Sequence, residues 1–93
     1  MTIGVLHIEL LIPGSHSLKE KRRVVKSLKQ QIHNRYNCSV AEIGEKDLWA
    51  RATLAACVIG DDTRFVNAQL NEIARFAAQK NGAELLDYHI EML

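Results

Sequence analysis

Residues 2–12, TIGVLHIELLI, alternate loosely, with Leu6, Ile8 and Leu10 on one side and Val5, His7 and Glu9 on the other. A period of two in a run rich in Ile, Leu and Val marks a half-buried strand. Pro13-Gly14 ends it. The period then lengthens. Ser17-Leu18-Lys19-Glu20 has the capping-box form, in which the Ser hydroxyl accepts from the third helical N–H and the Glu reaches back. Leu18, Val25, Leu28 and Ile32 follow at helical spacing, which predicts a helix to about Tyr36. After a turn at Asn37, residues 38–44 and 48–59 read as strands joined by a hairpin loop at Gly44-Glu45-Lys46-Asp47. In the longer of these, Leu48, Ala50, Ala52, Leu54, Ala56 and Val58 alternate with Trp49, Arg51, Thr53, Ala55 and Cys57. Gly60-Asp61-Asp62 stops it, and either Asp can cap a second helix running to about Lys80. That helix gathers Val66, Leu70, Ile73, Phe76 and Ala77 on one face, and Asn81-Gly82 suits its C-cap. Residues 83–92 form the last strand, with Leu86, Tyr88, Ile90 and Met92 expected on one face and Leu85, Asp87, His89 and Glu91 on the other.

The order β-α-β-β-α-β predicts an α+β, ferredoxin-like domain spanning residues 1–93. Its four-stranded antiparallel sheet is expected in the order 4-1-3-2, with both helices on one face. With 93 residues, 47% of them apolar, the chain supports one core and one domain.

Charge sharpens this picture. The net value is only +1, but residues 16–36 carry Lys19, Lys21, Arg22, Arg23, Lys26, Lys29 and Arg35 against Glu20 alone. That segment is +6 and the remainder −5. On a helical wheel Lys19, Arg22, Lys26, Lys29 and His33 follow the spacing 3, 4, 3, 4 and form a stripe along one flank. Arg23 lies further round on the outer face. Lys21 falls near the apolar side, from which its long stem can snorkel outward. Cations in a first helical turn oppose the macrodipole by about 0.3–1 kcal/mol each when exposed. Lys and Arg are also good helix formers, and a charged outer face keeps a small domain in solution. Against that stands the absence of interleaved acids, which points to an anionic partner.

The other sheet face is expected to be bare and to carry His7, Glu9, Trp49, Arg51, Thr53, Asp87, His89 and Glu91. Two histidines near carboxylates suggest a divalent-metal or small-molecule enzyme site at His7 and His89, the weakest of the readings, since cross-strand register is not written in a sequence. An RNA-recognition platform of stacking aromatics on the central strands is not present. Trp49 beside Ala55, Cys57 and Ile59 makes sheet-to-sheet association plausible, so His7, Trp49, Arg51 and His89 are candidate interface residues for a homodimer or protein adaptor.

Nothing in the chain assembles a nucleophile. Ser15, His16 and Ser17 lie together in a loop, where helix capping accounts for them. Cys38 and Cys57 have no CxxC or metal spacing and read as small apolar residues of a reducing compartment. The N-terminal run has no basic start and is broken by Glu9, unlike a signal peptide. No cofactor, no metal and no membrane contact is expected, and the chain is read as cytoplasmic.

Three stretches, Ser17 to Arg23, Asn37 to Glu42 and Asp47 to Ala52, resemble the YlxP-like proteins, a bacterial family of small domains of unknown function. The likeness covers nearly the whole chain. Cys38 departs from it, standing where an aliphatic residue is more usual. The resemblance implies a ferredoxin-like fold and supplies no catalytic residues. Genes of that family often neighbour those of translation initiation and ribosome maturation, which implies a ribosome-associated or RNA-binding role. The leading expectation is therefore a non-enzymatic module docking RNA, ribosomal RNA included, through the first helix. Lys19, Arg22, Arg23, Lys26 and Lys29 would contact phosphates, with Lys21 and Arg35 as secondary candidates.

Overall fold

The computed structural model describes residues 1–44, 48–79 and 82–93. Strand β1 (Thr2–Leu11) leads to helix α1 (Leu18–Arg35), strands β2 (Ser39–Glu42) and β3 (Arg51–Gly60), helix α2 (Thr63–Ala78) and strand β4 (Glu84–Met92). The strands form one sheet in the order β2-β3-β1-β4, every neighbouring pair antiparallel. This is the ferredoxin-like order predicted from the pattern.

The caps follow the local sequence. Ser17 Oγ accepts the Glu20 N–H at 3.2 Å. The return bond goes one residue beyond the simple capping box: Glu20 Oε2 accepts the His16 N–H at 2.6 Å. Asp62, not Asp61, caps α2, its Oδ1 accepting the Arg64 N–H at 2.9 Å. The C-cap of α2 is Gln79, earlier than expected; Asn81 and the loop residues 45–47 lie outside the described residues.

The core is one layer between the sheet and the two helices. Leu6, Ile8, Leu10, Ala52, Leu54, Ala56 and Val58 from β1 and β3 meet Val25, Leu28 and Ile32 of α1 and Val66, Leu70, Ile73 and Ala77 of α2. At Gly4 the second helix comes close. A Cβ there would stand 2.6 Å from Leu70 Cδ1 and 2.9 Å from Val66 Cγ1, so only glycine admits this approach.

Two features depart from simple alternation. In β4 the pairing with β1 shifts between Glu9 and Leu10, so that Glu9 faces Asp87 but Leu10 faces Leu85. Leu86 is the extra residue of a bulge. Paired residues of neighbouring strands share a face, so Leu85, Tyr88, Ile90 and Met92 lie on the helix side, and Leu86 is exposed instead of inward. Beside the bulge, Asp87 Oδ1 accepts the Tyr88 N–H at 2.9 Å. The second departure is at β3, which begins at Arg51. Leu48, Trp49 and Ala50 belong to the connection from β2, so Trp49 is not part of the sheet face.

A candidate nucleic-acid interface on helix α1

Helix α1 is held down by its apolar side, and this decides which cations reach the surface. Val25, Leu28 and Ile32 are buried, which leaves Lys19, Arg22, Arg23 and Lys26 exposed and Lys29 half-buried. At 1.5 Å rise per residue the stripe presents a cation about every 4.5–6 Å. Its flank faces the β2 edge: Lys26, Lys29, Gln30 and His33 line a shallow cleft with Val40 of β2. Gln30 and His33 thus belong to the surface, and their place on the same flank follows from helical spacing. Among the described residues, none of Lys19, Arg22, Arg23, Lys26 and Lys29 has a carboxylate within 4.0 Å. Glu20, the acid nearest in sequence, is occupied at the cap.

Two of the expected phosphate ligands are removed from this surface. Lys21 is only 1% exposed, and its Nζ lies 3.1 Å from Glu42 Oε2. The two opposite charges form an ion pair largely out of water. The wheel had already set Lys21 toward the apolar side. Its ammonium does not snorkel outward because Glu42, at the end of β2, meets it inside. Arg35 is exposed but lies at the other end, its guanidinium 5.0 Å from the Phe76 ring centre and 5.9 Å from that of Tyr36. It packs across the gap between the helices, where the Tyr36 and Phe76 rings meet edge to face at 5.7 Å.

On the bare sheet face, His7 and His89 are direct cross-strand partners and their rings stack at 4.4 Å, 11° from parallel. Glu91 Oε1 is 3.5 Å from His7 Nε2. Parallel rings do not converge on a common point, and no group of three His, Cys, Asp or Glu side chains among the described residues is arranged to hold a metal ion. Arg51 is exposed at the end of the face, opposite Leu11, and Trp49 stands beyond it. Val5, Ala55 and Cys57 form the apolar centre of the face, with Ile59 exposed at its end. Burial raises the Cys38 thiol above its ordinary value, and nearby Cys57 pushes in the same direction. No helix among the described residues is long and apolar enough to cross a membrane.

The architecture is that of a small ferredoxin-like α+β domain with one basic helix. A family profile described as "Protein of unknown function (DUF503)" matches residues 3–90, and the chain belongs to that family. The uncharacterized protein YlxP of Bacillus subtilis (strain 168) is 31% identical to it over 74 residues, 80% of each chain. This agrees with the YlxP-like resemblance of the three motifs. Among solved structures, the structured domain of Drosophila melanogaster Boca is similar with a TM-score of 0.59, covering 94% of this chain and 95% of that one. At 14% identity, that similarity is one of fold alone.

Proposed function

We propose that this protein is a non-enzymatic binding module that docks structured RNA, ribosomal RNA included, through the exposed flank of α1. The observation that carries the reading is the row Lys19, Arg22, Lys26 and Lys29, with Arg23 beside it, lacking carboxylate partners among the described residues. Cations placed at a helix start oppose the macrodipole, and an incoming phosphate offsets that cost. Contacts of this kind position a protein on a nucleic acid and read little sequence.

Affinity for ribosomal RNA fragments across a salt series tests this. If four or five phosphates are neutralised, log affinity falls with log salt at a slope of about −3 to −4.5. Each stripe charge removed then lowers that slope by about 0.7–0.9. Arg22→Glu with Lys26→Glu weakens binding to many RNAs alike. Unchanged affinity in that double variant refutes the reading.

A second reading has its own observation. The bare sheet face has an apolar centre, and exposed Ile59 at its end extends it. Two copies joined through this face would cover it. Sedimentation equilibrium across a concentration range decides the matter, since a strict monomer removes the homodimer.

A further inference from the structure

Trp49 is 56% exposed, and it is the only tryptophan of the chain. Leu48, Trp49, Ala50 and Arg51 line a shallow, mostly apolar cleft. An indole left in water contributes little to the core, so its position asks for another explanation.

The connection that carries it leaves the sheet where β1 stops and α1 starts. Arg51 pairs with Leu11, and the Ala50 carbonyl accepts the Ile12 N–H at 2.7 Å. The other base of this hairpin is Glu42, which pairs with Leu54 and meets Lys21 in the first turn of α1 at 3.1 Å. The buried Lys21–Glu42 contact therefore ties the helix start, with Lys19 and Arg22 exposed, to the β2–β3 pair whose second strand Trp49 precedes. From there the stripe runs along the β2 edge, where Val40 faces Lys26 and Lys29 across their cleft. The aromatic and the start of the cation row thus belong to the same end of the molecule.

We propose that Trp49 is a stacking platform for an unpaired RNA base, at the end of the molecule where the phosphate contacts of α1 begin. The RNA docked is then single-stranded or looped at this point, not continuous duplex. This rests on the docking role proposed above and adds the kind of RNA. Every base offers a π-face, so stacking on an exposed aromatic is tolerant of sequence, and Arg51, which lines the same cleft, adds a cation there. In a continuous duplex the bases are stacked on one another, and their faces are closed to the indole. The platform differs from one of aromatics in the middle of a sheet, because here it stands just before β3, at the sheet end. An apolar protein side chain would also pack on an indole, but Arg51 in the same cleft, with Lys19 and Arg22 exposed at the same end of the molecule, favours a polyanion.

The lone tryptophan is its own reporter. A labelled ten-nucleotide oligoadenylate and a blunt RNA duplex of equal length are titrated at low salt. Anisotropy of the RNA and emission of the indole are read together. Both RNAs are expected to bind, with the single strand alone quenching Trp49. Trp49→Ala, checked for fold by circular dichroism, weakens the single strand by roughly 5- to 150-fold and leaves the duplex unchanged. Trp49→Phe retains part of the affinity. If the single strand binds by anisotropy with the emission unmoved, or if Trp49→Ala binds it as tightly as the parent, stacking is overturned while docking by α1 stands. If neither RNA binds, the docking reading itself fails and the inference falls with it. Iodide protection of Trp49 that grows with protein concentration, without RNA, assigns the indole to a protein contact and also overturns the inference.

Discussion

Replacing Lys21 by Met removes the cation facing Glu42 and keeps most of the apolar stem that packs beneath α1. The Lys21 side chain is 1% exposed and that of Glu42 16%, so the variant leaves a carboxylate largely out of water with its closest cation gone. Breaking a buried pair in this way costs about 3–5 kcal/mol. Glu42 retains some water, which places the expected loss below that range, at about 2–3 kcal/mol. For a domain of this size each kcal/mol moves the melting temperature by about 4–8 °C, so a fall of roughly 10–20 °C is expected. Urea and thermal unfolding followed by circular dichroism measure both quantities. The double variant Lys21→Met with Glu42→Leu replaces the pair by apolar groups and should recover most of the loss. A Lys21→Met protein within about 0.5 kcal/mol of the parent, the range of an ordinary surface change, would refute the reasoning. So would a double variant as unstable as the single one. On the proposed docking of RNA, the same single variant separates structure from binding: with its ammonium buried at Glu42, Lys21→Met should leave the salt slope unchanged, whereas Lys26→Ala should lower it.

Other outcomes follow from the caps, the core and the thiol. Ser17→Ala removes the acceptor of the Glu20 N–H and should cost about 1 kcal/mol in urea denaturation. Gly4→Ala drives a methyl against Leu70 and Val66 and should destabilise by about 1–3 kcal/mol, with Leu70→Ala beside it restoring room for the methyl and making the two losses less than additive in a double-mutant cycle. Because the folded state raises the Cys38 thiol, it holds that proton where the unfolded chain releases it. The resulting stability is full below the unfolded cysteine value, about 8.5, and is lost as pH rises through the folded value. Denaturation midpoints at rising alkaline pH should therefore fall more for the parent than for Cys38→Ala.

The elements and their order were legible because each buries one face, and a face imposes a period. The alternation of Leu6, Ile8 and Leu10 and the helical spacing of Val25, Leu28 and Ile32 name their own neighbours. The failures have a common source, the extension of a period past the point where it applies. At Leu86 a bulge inserts one residue and reverses the alternation, so Leu85 turns inward. A bulge is set by the pairing of two strands and leaves no mark in one. At Trp49 the alternation of β3 continues into a loop, and a reading by period alone keeps the indole on the sheet. Lys21 shows the limit of a wheel. Its angle toward the core was readable, but the carboxylate that meets it comes from a strand twenty-one residues away. The exposed stripe was readable because α1 has only one side to bury, and the remaining side had to carry Lys19, Arg22, Lys26 and Lys29 outward. The ring contacts of Arg35 were not readable, because one partner, Phe76, belongs to the other helix.

The sheet has two open borders, and both are poor templates for a further strand. On one side β2 is only four residues long. On the other, β4 is nine residues long, but its register breaks at Leu86, and the Asp87 carboxylate occupies the Tyr88 N–H with a negative charge beside it. A fifth strand arriving at that border would have to change register partway and displace an anion from a backbone donor. Growth by strand addition, the route from a small sheet to a fibril, is therefore blocked at the border where it would be easiest. With sideways growth of the sheet disfavoured at both borders, contacts with other molecules are left to its faces and its helix.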